Sequence, residues 1–297
     1  MAQIDFLPIF FGRGVRGSAS TRNLVGLRRL NLGVNHLATL PPGLPGLAAC
    51  EALWLHRNHL TALPDDLGDL TSLKQLCVYG NGLSYLPDSV GHLVSLECLA
   101  ANDNKLGPDL PETLFGMRQL VQLDVSDNQL ASLPSRLGEL PSLKHLWCAR
   151  NQLLAVPDSV ARMGTLESLQ LHENKLEKLP ENVSGWSRLR VLTLSKNKLA
   201  SLPGTLRQVT SLERLSLDHN SGLGSDLVQQ GLFFTELHSL AALSIDRFVF
   251  EACAAEAQAW CATNVADLKL LKTAMSKAKM KEALFGAQAK GGVKLAP

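Results

Sequence analysis

The stretch "VQLDVSDNQLASLP" at residues 121–134 combines two patterns. Leu123 and Val125 alternate with polar residues, which is typical of a β-strand with one buried face. Asn128 follows in a leucine-rich setting, where the chain has to turn away from the strand. A buried amide both donates and accepts hydrogen bonds, so it can satisfy turn backbone groups that no sheet ladder reaches. The stretch therefore predicts a strand followed by a turn held by an asparagine.

This asparagine recurs along the chain at an interval of 23 residues, or 24 residues between Asn104 and Asn128. Around each copy the sequence follows L-x-x-L-x-L-x-x-N-x-L-x-x-L-P, with small departures. Self-similarity at a fixed period of this length predicts a solenoid. The recurring residues, called ladder asparagines below, are Asn35, Asn58, Asn81, Asn104, Asn128, Asn151, Asn174, Asn197 and Asn220.

The second half of each repeat is predicted to form an outer arc that returns to the next strand. Pro134 stiffens this arc and cannot extend a strand. A single coil cannot cover its own apolar face, so neighbouring coils have to stack. The leucines that we expect to fill the core are Leu130, Leu133, Leu137, Leu140 and Leu143.

Residues 24–223 resemble the leucine-rich repeat family in its 23-residue form with a Leu-Pro pair. The resemblance implies an α/β fold, a curved solenoid with a parallel β-sheet on its concave face. Within the family the chain is similar to the intracellular group of the Ras suppressor protein, the scribble and erbin scaffolds and the plant Ras-group-related proteins. The resemblance implies a role in signalling or as a scaffold, with a small GTPase or a signalling enzyme as partner.

Both ends depart from the repeat. Residues 1–23 are predicted to be an N-terminal cap, because "FLPIFFG" at 6–12 matches an outer arc and an Arg/Gly/Ser loop of ten residues follows it. Residues 24–248 form the solenoid of nine regular repeats and one degenerate repeat, "LAALSIDRF" at 240–248. Residues 249–297 are predicted to be a helical C-terminal cap with a disordered tail.

The predicted cap has two alanine-rich helices, at 249–262 and at about 265–285. Val249, Cys253, Trp260, Leu268, Leu271 and Met275 are its candidate core residues. The second helix is basic, and its lysines form either a solvated face or a weak contact with lipid. These lysines are Lys269, Lys272, Lys277, Lys279 and Lys281.

Composition favours the cytoplasm. The formal net charge of +2 argues for neither nucleic acid nor an acidic membrane surface. Six cysteines lack the clustering of disulfide-rich caps, and Cys50 and Cys148 stand at core positions. The sequence has no apolar stretch long enough to span a bilayer. Residues 6–50 carry arginines and no acidic residue, so targeting to an organelle is the alternative.

No catalytic constellation is present in the sequence. It lacks a phosphate-binding loop, H-E-x-x-H, C-x-x-C and a nucleophile elbow. Cys253 and Cys261 are eight residues apart, which is not a metal-ligand spacing, and no histidine stands near them. We therefore expect no enzyme activity, no cofactor and no metal. A nucleophilic role of either thiol remains as an alternative.

The polar strand positions predict a binding surface. Neighbouring strands bring equivalent positions into contact, which gathers one group of aromatic, histidine and arginine residues on the second and third repeats and another on the sixth and seventh. Trp, Tyr and Arg are enriched in binding hot spots, although outward aromatics can also simply stabilise a sheet. The predicted partner-binding residues are Trp54, His56, Arg57, Tyr79, Asp103, Asp124, Asp127, His145, Trp147, Arg150 and His172.

The function predicted from the sequence is a non-catalytic protein-interaction module or scaffold that binds a protein partner on the concave face. The alternative is a regulatory or targeting subunit of an enzyme such as a phosphatase or a ubiquitin ligase. The aspartates at the centre of the predicted surface argue against nucleic acid.

Overall fold

The structure is a computed structural model that describes residues 3–5, 26–40, 46–224, 233–253 and 255–271. The predicted N-terminal arc and arginine loop, at 6–12 and 13–22, lie outside the described residues. The chain forms two compact units, residues 1–152 and 153–297.

The first unit contains seven parallel strands, each paired with the next along the chain. They are β1 Gln3–Asp5, β2 Arg29–Asn31, β3 Ala52–Trp54, β4 Gln75–Cys77, β5 Cys98–Ala100, β6 Gln122–Asp124 and β7 His145–Trp147. The outer arcs contain the 3₁₀ helices Asp65–Asp69, Asp88–His92, Glu112–Gly116 and Leu137–Glu139. Strand β1, which the sequence analysis did not predict, extends this sheet before the first regular repeat.

The second unit continues the same pattern with five parallel strands. They are β8 Ser168–Gln170, β9 Val191–Thr193, β10 Arg214–Ser216, β11 Ala242–Asp246 and β12 Asp267–Leu271. Its arcs hold helix α1, Asp158–Ala161, and the 3₁₀ helices Gly204–Gln208 and Phe233–Glu236. The predicted α/β solenoid is confirmed in both units.

The core is the stack of inward leucines. Leu123 and Val125 are fully buried, as predicted from their alternation. The leucines predicted to fill the core from the arc of that repeat, Leu130, Leu133, Leu137, Leu140 and Leu143, are all buried. Cys50 and Cys148 are also fully buried, which confirms them as small apolar core residues.

The ladder asparagines from Asn58 onward link two successive coils. The Nδ2 group of Asn128 donates to the carbonyl of Val125 at 3.0 Å in its own coil and to that of Ala101 at 3.0 Å in the coil before. Its Oδ1 accepts the backbone N–H of Leu106 at 2.9 Å. The same accepting bond, from the N–H two residues beyond the preceding ladder asparagine, recurs at Asn58, Asn81, Asn104, Asn151, Asn174, Asn197 and Asn220. Asn35 donates to Leu32 and Gly33 of its own coil.

The residue before each ladder asparagine adopts a left-handed backbone conformation. At Asp127 the φ angle is 55°, and at Arg150 it is 52°. Gly80 is the single glycine in this column, so the other copies adopt the conformation with a side chain present, at a cost of about 1–2 kcal/mol each. The bonds that the neighbouring amide makes to both coils hold this turn in place.

The C-terminal part of the second unit differs from the prediction. The degenerate tenth strand is confirmed as β11, with Leu243 in register with Leu215 of β10. Two helices follow, α2 Arg247–Ala252 and α3 Ala255–Asn264, where one helix at 249–262 was predicted. Val249 and Cys253 are buried, as expected, and the side chain of Trp260 is not described.

The second predicted cap helix is wrong over 267–271, where the chain forms strand β12, parallel to β11 along all five residues. The free edge of β11 offers backbone groups that need partners, and strand pairing satisfies them. Polar and apolar residues alternate from Asp267 to Leu270, which suits a strand better than a helix. Lys269 is exposed on this strand, and the other lysines of the predicted basic helix lie outside the described residues.

We predict that Asn128→Leu destabilises the fold. It leaves the Leu106 N–H without its acceptor, at about 1–3 kcal/mol for a buried group. The Ala101 and Val125 carbonyls each lose one of two amide donors and keep Asn104 and Asn151. The free energy of unfolding in urea is expected to fall by about 1–3 kcal/mol. The control Gln129→Leu changes the exposed neighbouring amide and should alter it by less than about 0.5 kcal/mol. Equal urea midpoints for Asn128→Leu and the unaltered chain would contradict the ladder's role.

Candidate functional site

The outward-pointing side chains of the short strands lie on one face of the sheet. In β3 to β7 the central leucine is buried and the last residue is partly exposed. The outward side chains of β2 to β7 and of the turns that follow them are called the open face of the first unit below. Strand register places six last residues side by side in one row, Asn31, Trp54, Cys77, Ala100, Asp124 and Trp147.

An aromatic group lies on the β3 and β4 side of the open face. The rings of His56 and Tyr79 stack, with centroids 4.8 Å apart and planes 15° apart. Gly33 lies against the imidazole, because a Cβ atom at this position would be 2.3 Å from Cε1 of His56. Burial, and then the charge of Arg57, lower the pKa of His56, so the ring is held neutral. Trp54, the last residue of β3, is partly exposed on the same face.

A second group lies on the β6 and β7 side. The rings of His145 and Trp147 meet at a tilt of 40°, with centroids 6.0 Å apart. Arg150 forms a two-pronged ion pair with Asp127, in which Nη2 donates to Oδ2 at 2.7 Å and Nε donates to Oδ1. His172, which the sequence analysis placed with this group, belongs to the second unit, where its Nδ1 is 3.0 Å from Oγ1 of Thr193.

Two carboxylates between these groups have no ion pair in the described part of the chain. Asp103 is exposed in the turn after β5. Asp124 is partly buried at the end of β6 and accepts the backbone N–H of Ser126 at 3.0 Å. Burial raises the pKa of Asp124, and the hydrogen bond from Ser126 opposes the rise. Asp127 differs from both because Arg150 neutralises it.

The floor between the two tryptophans is made of small side chains that the sequence analysis did not select. Cys77, Cys98 and Ala100 are partly exposed on β4 and β5. Their outward placement follows from the same alternation that identified Trp54 and Trp147. A selection based on hot-spot residue types passes over small residues, although these residues determine how much room the face leaves for a ligand.

Two imidazole nitrogens on the open face are buried without a hydrogen-bond partner, Nδ1 of His56 and Nδ1 of His145. They belong to different groups of the face and do not converge on one point with other ligating atoms. Among the described residues, no group of three or more His, Cys, Asp or Glu side chains is arranged to hold a metal ion.

A polar network lies in the second unit, around Asp218. Its carboxylate accepts the hydroxyls of Ser195 and Ser244 at 2.8 Å and 2.6 Å and lies 2.9 Å from Nδ1 of His219. Burial alone would raise the pKa of Asp218, but the three hydrogen bonds outweigh it and lower the pKa. Because both hydroxyls donate to the carboxylate, neither is paired with the imidazole as a nucleophile would be with its base.

Asp246 is the least satisfied group in this network. Its Oδ2 accepts the backbone N–H of His219 at 2.9 Å, while Oδ1 is buried without a partner. In the next coil Phe248 stands in the sequence where a ladder asparagine is expected. Asp246 accepts a backbone N–H of the preceding turn, which is part of what a ladder asparagine does. Burial raises the pKa of Asp246, and the charge of Asp218 adds to the rise.

The two cysteines considered as nucleophiles are buried in the second unit. Burial raises the pKa of Cys253 to about 11 and that of Cys261 to about 11. A thiol with such a pKa carries little thiolate near neutral pH and is a poor nucleophile. Both side chains therefore fit a structural role in packing helices α2 and α3.

Comparison with known proteins agrees with the fold. Residues 65–153 match the leucine-rich repeat region family and residues 164–221 match the leucine rich repeat family. A comparison with curated protein sequences gives no match. The two matches, together with the repeat and the solenoid, support the leucine-rich repeat family for these two regions of the chain.

Several solved structures share this architecture. A leucine-rich repeat protein of Leptospira interrogans has a TM-score of 0.68 and 24% identity, over 87% of this chain and 70% of its own. The ectodomain of the Arabidopsis thaliana receptor kinase GASSHO1/SCHENGEN3, solved with CASPARIAN STRIP INTEGRITY FACTOR 2, has a TM-score of 0.62 and 28% identity, over 76% of this chain and 30% of its own. The plant peptide hormone receptor RGFR1 in complex with RGF2 has a TM-score of 0.65 and 22% identity, over 84% of this chain and 44% of its own. The chain thus spans less than half of either receptor chain.

No helix in the described part of the chain combines the length and apolar character needed to cross a membrane.

We predict that Asp246→Asn stabilises the protein near neutral pH. The pKa of Asp246 is raised in the folded chain, so the folded chain binds the carboxyl proton more tightly than the unfolded chain does. The protein therefore loses stability as the pH rises from the pKa of the unfolded chain, about 3.9, through the pKa of the folded chain. Asparagine keeps an acceptor for the His219 N–H without a charge. The Tm is expected to rise by roughly 2–4 °C at pH 7.5 and to converge with that of the unaltered chain near pH 4.

The matched control is Asp267→Asn, an exposed carboxylate on β12, whose Tm should follow that of the unaltered chain at every pH. A lower Tm for Asp246→Asn at pH 7.5 would show that the ionised carboxylate stabilises the turn.

We also predict that Cys253 and Cys261 are protected from thiol reagents in the folded protein. Burial raises the pKa of all four thiols, so the order of labelling depends on access. A small disulfide reagent at pH 8, mapped by mass spectrometry, should modify the partly exposed Cys77 and Cys98 before either of them. In urea all six cysteines should react. Labelling of Cys253 or Cys261 in the folded chain at the rate of a free thiol would contradict their structural role.

Proposed function

We propose that the chain is a non-catalytic protein-interaction module that binds an extended segment of a protein partner on the open face of its first unit. The observation that carries the proposal is the pair of partly exposed tryptophans, Trp54 and Trp147, on either side of a floor of small side chains. Tryptophan is one of the residue types that most often dominate the binding energy of an interface.

The scaffold favours binding because its side chains are already held in place. Backbone pairing in register fixes the spacing of the row, and ring stacking orders His56 and Tyr79 before a partner arrives. The entropy lost on binding is then small. The similar ectodomain of the receptor kinase GASSHO1/SCHENGEN3 was solved in complex with CASPARIAN STRIP INTEGRITY FACTOR 2, which supports ligand binding by this chain as well.

We further propose an intracellular signalling or scaffold role in the cytoplasm, with a small GTPase or a signalling enzyme as the partner class. The support is the similarity of the repeats to the Ras-suppressor and scribble-erbin group. All six cysteines are free thiols, as is usual for a reducing compartment.

We predict that the double variant Trp54→Ala/Trp147→Ala keeps its fold and loses its partner. Neither indole is part of the buried core, so the Tm should fall by no more than a few degrees. The measurement is affinity capture from an extract of cells that express the protein, read by mass spectrometry. The unaltered chain should recover the partner, and the amount of partner recovered with the variant should be at least about tenfold lower.

The matched control is Tyr85→Ala, which removes an exposed aromatic residue outside the strands. It should capture the same partner as the unaltered chain. Equal recovery by the double tryptophan variant would move the binding surface away from the open face.

A further inference from the structure

We propose that the partner segment is basic and that one of its lysine or arginine side chains binds between Asp124 and Trp147. The proposal rests on the function proposed above and specifies which chemistry the open face selects. It depends on the charge of Asp124, on the side chains in register with it, and on the distance from there to Trp54.

Within the described part of the chain, Asp124, like Asp103, lacks the ion pair that some other carboxylates of the first unit have. Asp127 is paired with Arg150 of the next coil, and Glu51 lies between Arg28 and Lys74. Asp124 has no such ion pair among the described residues, although Asp127 in the turn that follows it has one. Its hydrogen-bond donor is Ser126, which leaves carboxylate lone pairs for a ligand.

The neighbours of Asp124 provide the rest of a cation site. Strand register places Trp147 directly beside it on β7 and Ala100 directly beside it on β5. Adjacent strands are about 4.8 Å apart, so a cation held by the carboxylate lies within the ~6 Å reach of the indole ring. The methyl group of Ala100 leaves the other side open for the aliphatic part of a lysine or arginine.

The charge of the surroundings favours a cation over an anion. Asp103, Asp124 and Asp127 provide three carboxylates close together, and the guanidinium of Arg150, whose charge also acts on Asp124, is bonded to Asp127. A phosphate-bearing ligand such as nucleic acid or an acidic lipid would be repelled there. A metal ion is disfavoured because no group of three ligating side chains is present among the described residues.

The strand spacing also predicts where the partner's second anchor lies. Trp54 on β3 is three strands from Asp124 on β6, which is about 14 Å at the usual strand separation. An extended chain advances about 3.3 Å for each residue, so about four residues cover this distance. Side chains four apart in an extended segment point to the same side. The segment should therefore carry an apolar or aromatic residue about four positions from its lysine or arginine.

The test begins with a library of linear octapeptides displayed on phage and selected on the full chain, with removal of peptides that also bind Trp54→Ala/Trp147→Ala. We expect enrichment of peptides with a lysine or arginine about four positions from an apolar residue. The same selection on Asp124→Asn should lose the preference for the basic residue. The side-chain amide of this variant keeps an acceptor for the Ser126 N–H, and an unchanged Tm would show that the fold is intact.

A double-mutant cycle then isolates the contact. One enriched peptide and its Lys→Gln or Arg→Gln version are titrated by fluorescence anisotropy against the unaltered chain, Asp124→Asn and the control Asp66→Asn. Asp66 is an exposed carboxylate on an outer arc. We expect the peptide substitution alone and Asp124→Asn alone each to raise the Kd at least fivefold. Combining the two should raise the Kd little further, because both remove the same contact. Asp66→Asn should leave the Kd unchanged, and added salt should weaken the basic peptide alone.

The outcomes separate the two proposals. Enriched peptides without a basic preference, or effects of Asp124→Asn and Lys→Gln that multiply independently, would overturn the cation site and leave the open face as a binding surface. Failure to enrich any peptide over the double tryptophan variant would overturn both the cation site and the binding of an extended segment.

Discussion

The structure depends on one interaction, the side-chain amide that joins each coil to the one before it. A parallel strand of three residues leaves some backbone groups near the following turn to a side chain, among them the N–H of Leu106, and the left-handed residue in that turn costs free energy. Asn128 meets both needs, because it accepts from the preceding coil and donates to both. The apolar core fills the interior, but the amides fix the stagger between coils. Since the amide makes these bonds only when the preceding coil is in place, neighbouring coils stabilise one another.

The same constraint makes the open face a defined surface. With the stagger fixed, a residue's neighbours on the face are the residues about 23 positions away on either side, so short strands still give an ordered row. Each outward position can then change without affecting the core. The sheet holds the outward side chains in place, among them the two tryptophans, the stacked His56 and Tyr79, and Asp124. Because the face does not have to rearrange, it loses little entropy when an extended partner binds.

The repeating parts could be predicted from the sequence because the same spacing of leucines and asparagine recurs in nine repeats, and each copy predicts the same buried positions. The asparagine positions, the inward leucines, the two core cysteines and strand β11 all follow from it. The prediction was wrong at 267–271, where alanine-rich flanks suggested a helix but the free edge of β11 pairs with a strand. It also missed β1, since three residues carry too little pattern. Asp246 could not be recognised as a partial substitute for a ladder asparagine, because it stands two positions earlier.

Footprinting with hydroxyl radicals tests the binding face most directly. The protein is oxidised alone and then with the partner that it captures, and the rate is read at each aromatic residue. If the partner lies on the open face, oxidation of Trp54 and Trp147 falls several-fold in the complex, while Tyr85 outside the strands reacts as before. Unchanged oxidation of both tryptophans, with protection of Tyr85 or of the outer arcs, would show that the partner binds elsewhere and would contradict the central claim.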